Sequence, residues 1–181
     1  FGECTGITFV DSTPIAVCKN KRIKRNRVFR DMAEVGKSTV GWFYGFKLHL
    51  VCNDKGDLIN FCLTKGNVDD RNQEVFNVLA KELFGKLYAD DGIHLVTGIR
   101  SNMKNRLMPL RDRILLRKRS VIETINDELK NICHVEHSRH RGKANFLINL
   151  LAGLTAYSFF DKKPAIKVEW ESPSLQLSLF A

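Results

Sequence analysis

The stretch Ile7–Cys18, ITFVDSTPIAVC, is the segment from which the fold can be argued. Its β-branched and apolar residues are typical of a strand, and its polar middle holds Asp11. Pro14 has no backbone N–H to donate, so we expect it to limit ladder pairing to a sheet edge or a strand end. Because an unpaired carboxylate is costly to bury, Asp11 is either the cap of the Ser12–Pro14 turn or a metal ligand.

Two further strands are predicted downstream, Trp42–Asn53 and Leu58–Thr64. The turn Asp54–Asp57 between them holds the Asp and Gly residues typical of a hairpin. Residues Lys19–Ser38 are too basic for a core and too irregular for a clear helix. We therefore predict a basic, solvent-facing insertion there, and three antiparallel strands in all.

The second half of the sequence alternates between helical and strand patterns. Asn67 and Asp69 are candidate N-caps for the first helix. The predicted elements, in order, are a helix over Val68–Phe84, strands over Lys86–Asp90 and Ile93–Ile99, and helices over Leu110–Cys133 and Lys143–Phe160. This order predicts an α/β domain over residues 1–160, whose mixed sheet has antiparallel strands followed by parallel ones and is flanked by helices. Residues 161–181 are predicted to form a peripheral tail.

Composition favours a polyanionic partner. The 181 residues include 29 Lys and Arg against 20 Asp and Glu, a net charge of +9, which points first to nucleic acid. The five cysteines are odd in number and lack C-x-x-C spacing, so a reducing, cytoplasmic setting fits better than a disulfide framework. The apolar stretch Phe146–Phe160 is shorter than the roughly 20 residues that span a bilayer, so we expect a buried helix and no membrane.

Asp90 and Glu123 are two further candidate catalytic acids. Asp90 ends a predicted strand, where carboxylates commonly point into a functional crevice, although Asp-Asp-Gly is also ordinary turn sequence. Glu123 lies at the boundary of the apolar face of a helix, and Arg119 and Lys130 follow the same helical spacing. For Glu123, Arg119 and Lys130, the alternative is a solvated helix face that holds an ordinary ion pair. His134, His137 and His140 have no set of further ligands that would complete a zinc site.

Five motifs in one order carry a resemblance to a known family. They are DSTPIAVC at Asp11, GWFYGFKLHLV at Gly41–Val51, GNVDDR at Gly66–Arg71, LLRKRSVIETINDELKN at Leu115–Asn131 and HSRHR at His137–Arg141. Together they resemble a branch of bacterial insertion-sequence DDE transposases, and they extend over about four-fifths of the chain. The resemblance implies a ribonuclease H-like catalytic domain that cleaves DNA and transfers strands.

The resemblance also implies a site. Asp11, Asp90 and Glu123 correspond to the catalytic, metal-binding DDE acids, which would hold two Mg²⁺ or Mn²⁺ ions. Arg119 and Lys130 correspond to the Arg and Lys of a Y-R-E-K signature that grips DNA near the scissile phosphate. Leu116 departs from that signature at its tyrosine.

The expected partners are the transposon ends and the target DNA, bound by a homo-oligomer. Recognition of the ends is expected mainly upstream of Phe1. Besides Arg119 and Lys130, the residues expected to contact phosphates are Lys21, Arg22, Lys24, Arg25, Arg117, Lys118, Arg139 and Arg141. Such contacts position DNA rather than read its sequence.

Two other functions stay open. The first arises because only Asp91 and Gly92 separate Asp90 from Ile93. A parallel strand pair needs a crossover of about a dozen residues. Either residues are absent from this stretch or the gene carries an internal deletion, and a deletion would favour a catalytically inert DNA-binding relic. A domesticated nuclease that only hydrolyses DNA is the third possibility.

Overall fold

The computed structural model describes residues 1–81, 83–84, 86–88, 110–136 and 140–166. A short 3-10 helix spans Asn20–Arg25. The remaining elements, in chain order, are β1 (Ile7–Cys18), β2 (Glu34–Ser38), β3 (Gly41–Asn53), β4 (Leu58–Lys65), α1 (Gln73–Ala80), β5 (Lys86–Tyr88), α2 (Leu110–Lys118), α3 (Ser120–Asn131) and α4 (Lys143–Ser158). The predicted strand Ile93–Ile99 lies outside the described residues.

β1 lies between β3 and β5 in the sheet. It pairs antiparallel with β3 along almost its whole length and parallel with β5 through Ile7–Phe9. Within the described residues, the rest of β1 has no strand on its β5 side. Among those residues, none pairs with Pro14 on that side, and Asp11 lies two residues beyond the last described β5 pair.

The other edge of β3 is shared by two strands placed end to end. β2 pairs with Gly41–Gly45, and β4 pairs with Phe46–Cys52. The amide of Gly66, which follows β4, donates to the carbonyl of Gly45 at 3.0 Å. A Cβ at Gly36 in β2 would overlap the carbonyl of Gly66, so the two strand ends meet only because glycine leaves room for the backbone.

Helices cover both faces of the sheet. Successive side chains of β1 point to opposite faces, so apolar residues on each face need a helix to pack against. Phe9 belongs to a large core cluster with residues of α3 and α4, such as Ile125 and Phe146, whereas Val10 packs in a smaller cluster with Val75 of α1. The result is a mixed sheet of antiparallel and parallel strands flanked by helices, compatible with a ribonuclease H-like fold. The predicted fold class is confirmed.

The segment Lys19–Ser38 is not a solvent-facing insertion, contrary to our expectation, because its last five residues form β2, a strand that we did not predict, and other residues in it are buried. Phe29 and Ala33 are 1% and 2% exposed. The Phe29 ring makes edge-on contacts with Phe46 and Phe146 at centroid distances of 5.9 and 5.4 Å. One aromatic can anchor a basic segment in a core, because burial depends on single side chains rather than on mean composition.

The first predicted helix is shorter than expected. α1 begins after Asn72, whose Oδ1 accepts from the amides of Glu74 and Val75 at 2.8 and 3.3 Å. The N-cap is therefore Asn72 and not Asn67 or Asp69. The sequence pattern predicted a longer helix because apolar residues continue before the first turn and after the last turn of α1.

The predicted helix Leu110–Cys133 is two helices, α2 and α3, separated at Arg119. The Arg119 amide donates to Leu116 O at 3.3 Å, and Ile122 N donates to Arg119 O at 3.0 Å. These short-range bonds tighten the chain into a turn between the helices. Arg119 thus lies at a junction rather than within a helix.

α4 buries one side and exposes the other. Phe146, Leu150, Leu154 and Tyr157 are almost inaccessible, whereas Ile148 is 64% exposed. Among the described residues, no helix is long and apolar enough to cross a membrane. The stretch Phe146–Phe160 is thus buried along one side only, with Ile148, Leu151 and Phe159 exposed.

Residues after α4 return to the β3–β4 turn. Lys163 Nζ lies 2.8 Å from Asp57 Oδ1, and the amide of Ile166 donates to Asp54 O at 2.8 Å. The division into a domain over 1–160 and a tail over 161–181 stays a prediction.

The burial of Phe29 generates a stability prediction. Phe29→Ala should lower the free energy of unfolding by about 3–5 kcal/mol, because it leaves a cavity between two aromatic rings. Arg30→Ala, at the exposed neighbouring position, should change it by no more than about 0.5 kcal/mol. Urea unfolding followed by circular dichroism measures both. Equal small losses would mean that the segment detaches from the core.

Candidate active site

Asp11 lines a cleft of about 580 Å³ at the open edge of β1. Arg119 and Glu123 line it from the α2–α3 junction and the first turn of α3, and Asp70 lines it from the loop after β4. Two of the three acids predicted as metal ligands, Asp11 and Glu123, therefore share one cleft. Asp90 lies outside the described residues, as does its junction with Asp91.

The guanidinium of Arg119 lies between the two acids. Its Nη1 is 3.6 Å from Asp11 Oδ1, and its Nη2 is 3.4 Å from Glu123 Oε1. The Arg119 side chain is only 15% exposed, whereas that of Glu123 is 60% exposed. The turn between α2 and α3 thus places one cation against a half-buried carboxylate and a solvent-facing one.

Asn126 is a site residue that sequence reasoning missed. Its Nδ2 donates to Asp11 Oδ2 at 2.9 Å, and the residue is 7% exposed. Its buried Oδ1 accepts no hydrogen bond in the described part of the protein. The spacing of Arg119, Glu123 and Asn126 on one helical face is the signal that could have found it.

Burial dominates the electrostatics of Asp11. Loss of solvent raises the pKa of its carboxyl from 3.8 to about 6. The Arg119 charge and the Ser12 amide oppose this rise, and the charges of Glu123 and Asp70 add to it. Holding Asp11 ionised therefore costs free energy that a nearby cation offsets.

Asp70 is the second site residue that the sequence analysis did not single out. Its Oδ1 accepts from Ser12 Oγ at 2.7 Å and from Lys47 Nζ at 3.0 Å. Lys47 also donates to the carbonyl of Val68 at 2.8 Å. These bonds tie the loop after β4 to β1 next to Asp11. The only signal in the sequence was the acidic pair in GNVDDR.

His49 lines the same cleft as a neutral side chain. It is 2% exposed, and burial lowers its pKa to about 4 against the opposing charge of Asp70. Its Nε2 lies 2.9 Å from Thr64 Oγ1. Because its pKa is far below 7, His49 adds no positive charge beside Asp11 at neutral pH.

An ion pair between a half-exposed lysine and a buried aspartate joins β5 to α2. Lys86 Nζ lies 2.6 and 2.9 Å from the two carboxylate oxygens of Asp112, and Tyr88 Oη donates to Asp112 Oδ1 at 3.0 Å. Asp112 is 5% exposed, and three short contacts satisfy its charge. β5, which precedes Asp90 in the chain, is thereby fixed to the helix that leads to Arg119.

Four residues predicted to contact DNA lie in the 3-10 helix Asn20–Arg25, and all are exposed: Lys21, Arg22, Lys24 and Arg25. Arg117 and Lys118 are exposed at the end of α2. Both groups are placed where they can reach a partner.

The remaining predicted DNA contacts are scattered. Lys130 does not line the cleft, and its Nζ lies 3.2 Å from Glu136 Oε2. Glu136 in turn accepts from the amide of Ala16 at 3.1 Å. Arg141 is exposed, and Arg139 lies outside the described residues.

The described residues contain no group of three or more His, Cys, Asp or Glu side chains close enough together to hold a metal ion. That part of the chain supplies Asp11 and Glu123 to the cleft. Any metal site built on the predicted acids therefore depends on Asp90.

The raised pKa of Asp11 predicts a gain in stability on neutralisation. The native state binds this proton more tightly than the unfolded chain, so the contribution of Asp11 to stability falls as pH rises from about 4 to about 6 and is level above that. Asp11→Asn should therefore raise the free energy of unfolding at pH 8 by about 2–3 kcal/mol. The gain should vanish near pH 4.

Urea denaturation of both proteins at pH 4, 6 and 8 measures this difference. Asp31→Asn, whose side chain is 79% exposed, is the control and should show little difference at any pH. A constant difference between Asp11→Asn and the unmodified chain across the pH range would contradict the burial argument.

Comparison with known proteins gives one match. The family model for the transposase DDE domain matches residues 1–143. No curated protein and no solved structure matches the chain. The match covers most of the chain and includes the cleft with both described acids, so this protein belongs to the transposase DDE domain family.

Proposed function

We propose that this chain is a transposase that cleaves DNA and transfers the cut strand with divalent metal ions held by Asp11, Asp90 and Glu123. The observation that carries the proposal is the meeting of Asp11 and Glu123 in one cleft, each within 4 Å of the Arg119 guanidinium. Structural ion pairs of this kind are common on surfaces. A half-buried acid with a raised pKa in a cleft is more typical of a functional site.

The donor chemistry of the cleft suits a hard divalent cation. Carboxylate oxygens are the ligands that Mg²⁺ prefers, and burial makes an added cation beside Asp11 favourable. We expect Mg²⁺ or Mn²⁺, and two ions when DNA is bound.

The position of β5 supports assigning Asp90 to the same site. The last described pair of the β1–β5 ladder joins Phe9 to Tyr88. Asp11 and Asp90 each follow that pair by two residues in the sequence. Asp112 fixes β5 in this register through Lys86.

The proposed chemistry is two in-line phosphoryl transfers at one site. Water attacks the phosphorus at the transposon end, and the bond between that phosphorus and the 3′-oxygen of the transposon strand breaks, which leaves a 3′-hydroxyl on the transposon and a 5′-phosphate on the flanking DNA. That hydroxyl then attacks a phosphodiester of the target, whose own 3′-oxygen leaves. Bound divalent ions would lower the pKa of the attacking oxygen and stabilise the charge on the leaving one.

The chain's own residues orient these steps. Asn126 restrains Asp11 by a hydrogen bond, and Ser12 restrains the neighbouring loop that holds Asp70. Arg119 supplies a cation that can turn from the two acids to a DNA phosphate once metal ions neutralise them. We propose that the protein acts as a homo-oligomer on two transposon ends.

Phosphate contacts outside the cleft are proposed for the cationic residues of the sequence analysis. They are Lys21, Arg22, Lys24, Arg25, Arg117, Lys118, Lys130, Arg139 and Arg141.

Asp11→Ala should abolish Mn²⁺ binding in calorimetric titration, because it removes the more buried of the two described acids. Asp31→Ala, at an exposed position outside the cleft, should bind Mn²⁺ as the unmodified chain does. Unchanged binding by Asp11→Ala would remove Asp11 from the site.

Incubation with a labelled transposon-end duplex, a target plasmid and Mn²⁺ tests the activity. We expect a strand-transfer product from the unmodified chain and none from Asp11→Ala. Cleavage without joined product would favour a nuclease, and DNA binding without cleavage would favour an inert relic.

Lys130→Ala should weaken binding to the transposon-end duplex and flatten the dependence of affinity on salt by roughly one unit of slope or less. Lys130→Ala also removes the ion-pair partner of Glu136, so the same measurement is made on Glu136→Gln. Lys162→Ala, at an exposed position, is the control. If Lys130→Ala leaves the slope unaltered, Lys130 serves only its ion pair with Glu136.

A further inference from the structure

Trp42 is exposed at the start of β3, although its neighbours are core residues. The Trp42 side chain is 63% exposed, whereas Phe43, Tyr44 and Phe46 are 8%, 6% and 4% exposed. Large exposed aromatics are more frequent at binding surfaces than elsewhere, because they supply contact area at low entropic cost. Packing within the described protein does not explain the position of Trp42.

A cation lies over the Trp42 ring. Lys37 of β2 is the cross-strand partner of Trp42, and its Nζ is 5.7 Å from the ring centroid. Val35 on the same hairpin is 42% exposed, and Val40 at its turn is 96% exposed. The hairpin therefore presents an aromatic ring beside a positive charge.

The basic 3-10 helix is attached next to this ring. Asn20 Nδ2, at the first residue of the helix, donates to the carbonyl of Trp42 at 2.8 Å. Four exposed cations follow Asn20 within that helix: Lys21, Arg22, Lys24 and Arg25. A polyanionic strand that reaches Trp42 would find phosphate partners on both sides of the ring.

The surface around Trp42 is continuous with the candidate active site. A second cleft, lined by Trp42 and Asn67, shares Lys37, Lys47 and Asp70 with the cleft of Asp11. Lys37 thus borders both clefts.

We propose that Trp42 and Lys37 form a stacking subsite for one unpaired nucleotide of the DNA strand that leaves the catalytic cleft. The inference rests on the proposed function for the identity of the ligand as DNA. A base within a duplex presents only its edge to a groove, whereas stacking on an indole needs a free face. The phosphate next to the stacked base then lies within reach of Lys37.

A second copy of the chain fits this surface less well than a nucleic acid. An isologous contact would place the same patch of each copy against its mate. The four cations of the 3-10 helix and Lys37 would then oppose like charges. Their charge complements a phosphate backbone instead.

Fluorescence tests the subsite. The chain has two tryptophans, so Trp170→Phe leaves Trp42 as the only one. Addition of oligothymidine in EDTA should quench Trp42 emission, because a stacked base contacts the indole. A blunt duplex of equal phosphate content and inorganic polyphosphate should quench it far less.

Affinity gives an independent readout that needs no second substitution. Trp42→Ala should weaken binding of a single-stranded oligonucleotide carrying 2-aminopurine by roughly 5- to 100-fold, the range expected for loss of one stacked base. Trp42→Phe should recover part of the loss. Val40→Ala, the matched control on the same hairpin, should leave affinity unchanged.

Three results would overturn the subsite: no quenching by oligothymidine, equal loss of single-stranded and duplex affinity in Trp42→Ala, or dissociation of an oligomer by Trp42→Ala without a change in DNA binding. Because every binding measurement is made without divalent ions, it does not depend on cleavage. Stacking at Trp42 with an inactive cleft would refute the proposed function alone, and normal strand transfer without stacking would refute this inference alone.

Discussion

The seam between β1 and α3, where Asp11 meets Asn126 and Arg119, is the constraint on which the rest of the site depends. The acid must be close enough to the core for its position to be fixed, yet open enough to meet a ligand. One hydrogen bond of 2.9 Å and one ion pair of 3.6 Å hold it. Ile122 and Ile125, fully buried on the same helix, supply the apolar contact that keeps α3 against the sheet.

β1, β3 and β4 were predictable because each has a repeating pattern that local sequence carries, whereas β2 was missed because it lies in the basic segment Lys19–Ser38. β1 has its predicted bounds, and β3 and β4 differ from theirs by one residue at one end. The helices were harder, since apolar residues run on through the Asn72 cap and through the turn at Arg119. A cap or a turn depends on one side chain, whereas a periodicity averages over many.

Prediction of the site residues from the sequence meets the same limit, here for contacts between residues far apart in the chain. Asp11 and Glu123 came from a family resemblance, but Asp70 reaches Ser12 across 58 residues and Asn126 reaches Asp11 across 115. Helical spacing and an acidic pair could have pointed to these two residues, but neither pattern identifies the contact partner, because only the tertiary fold brings the partners together. The burial of Phe29 was not predicted for a related reason. Its basic neighbours dominate the composition of the segment, whereas its own burial depends on Phe46 and Phe146.

The contact of Asp112 with Lys86 and Tyr88 has a bearing on how this family can vary. It joins the chain just before and just after the stretch 89–109, so both ends of that stretch are held by bonds that lie outside it. The entropy of closing a loop changes slowly with its length. A change in the number of residues between Asp90 and Leu110 would then leave the contact of Lys86 with Asp112 in place, because neither partner belongs to that stretch.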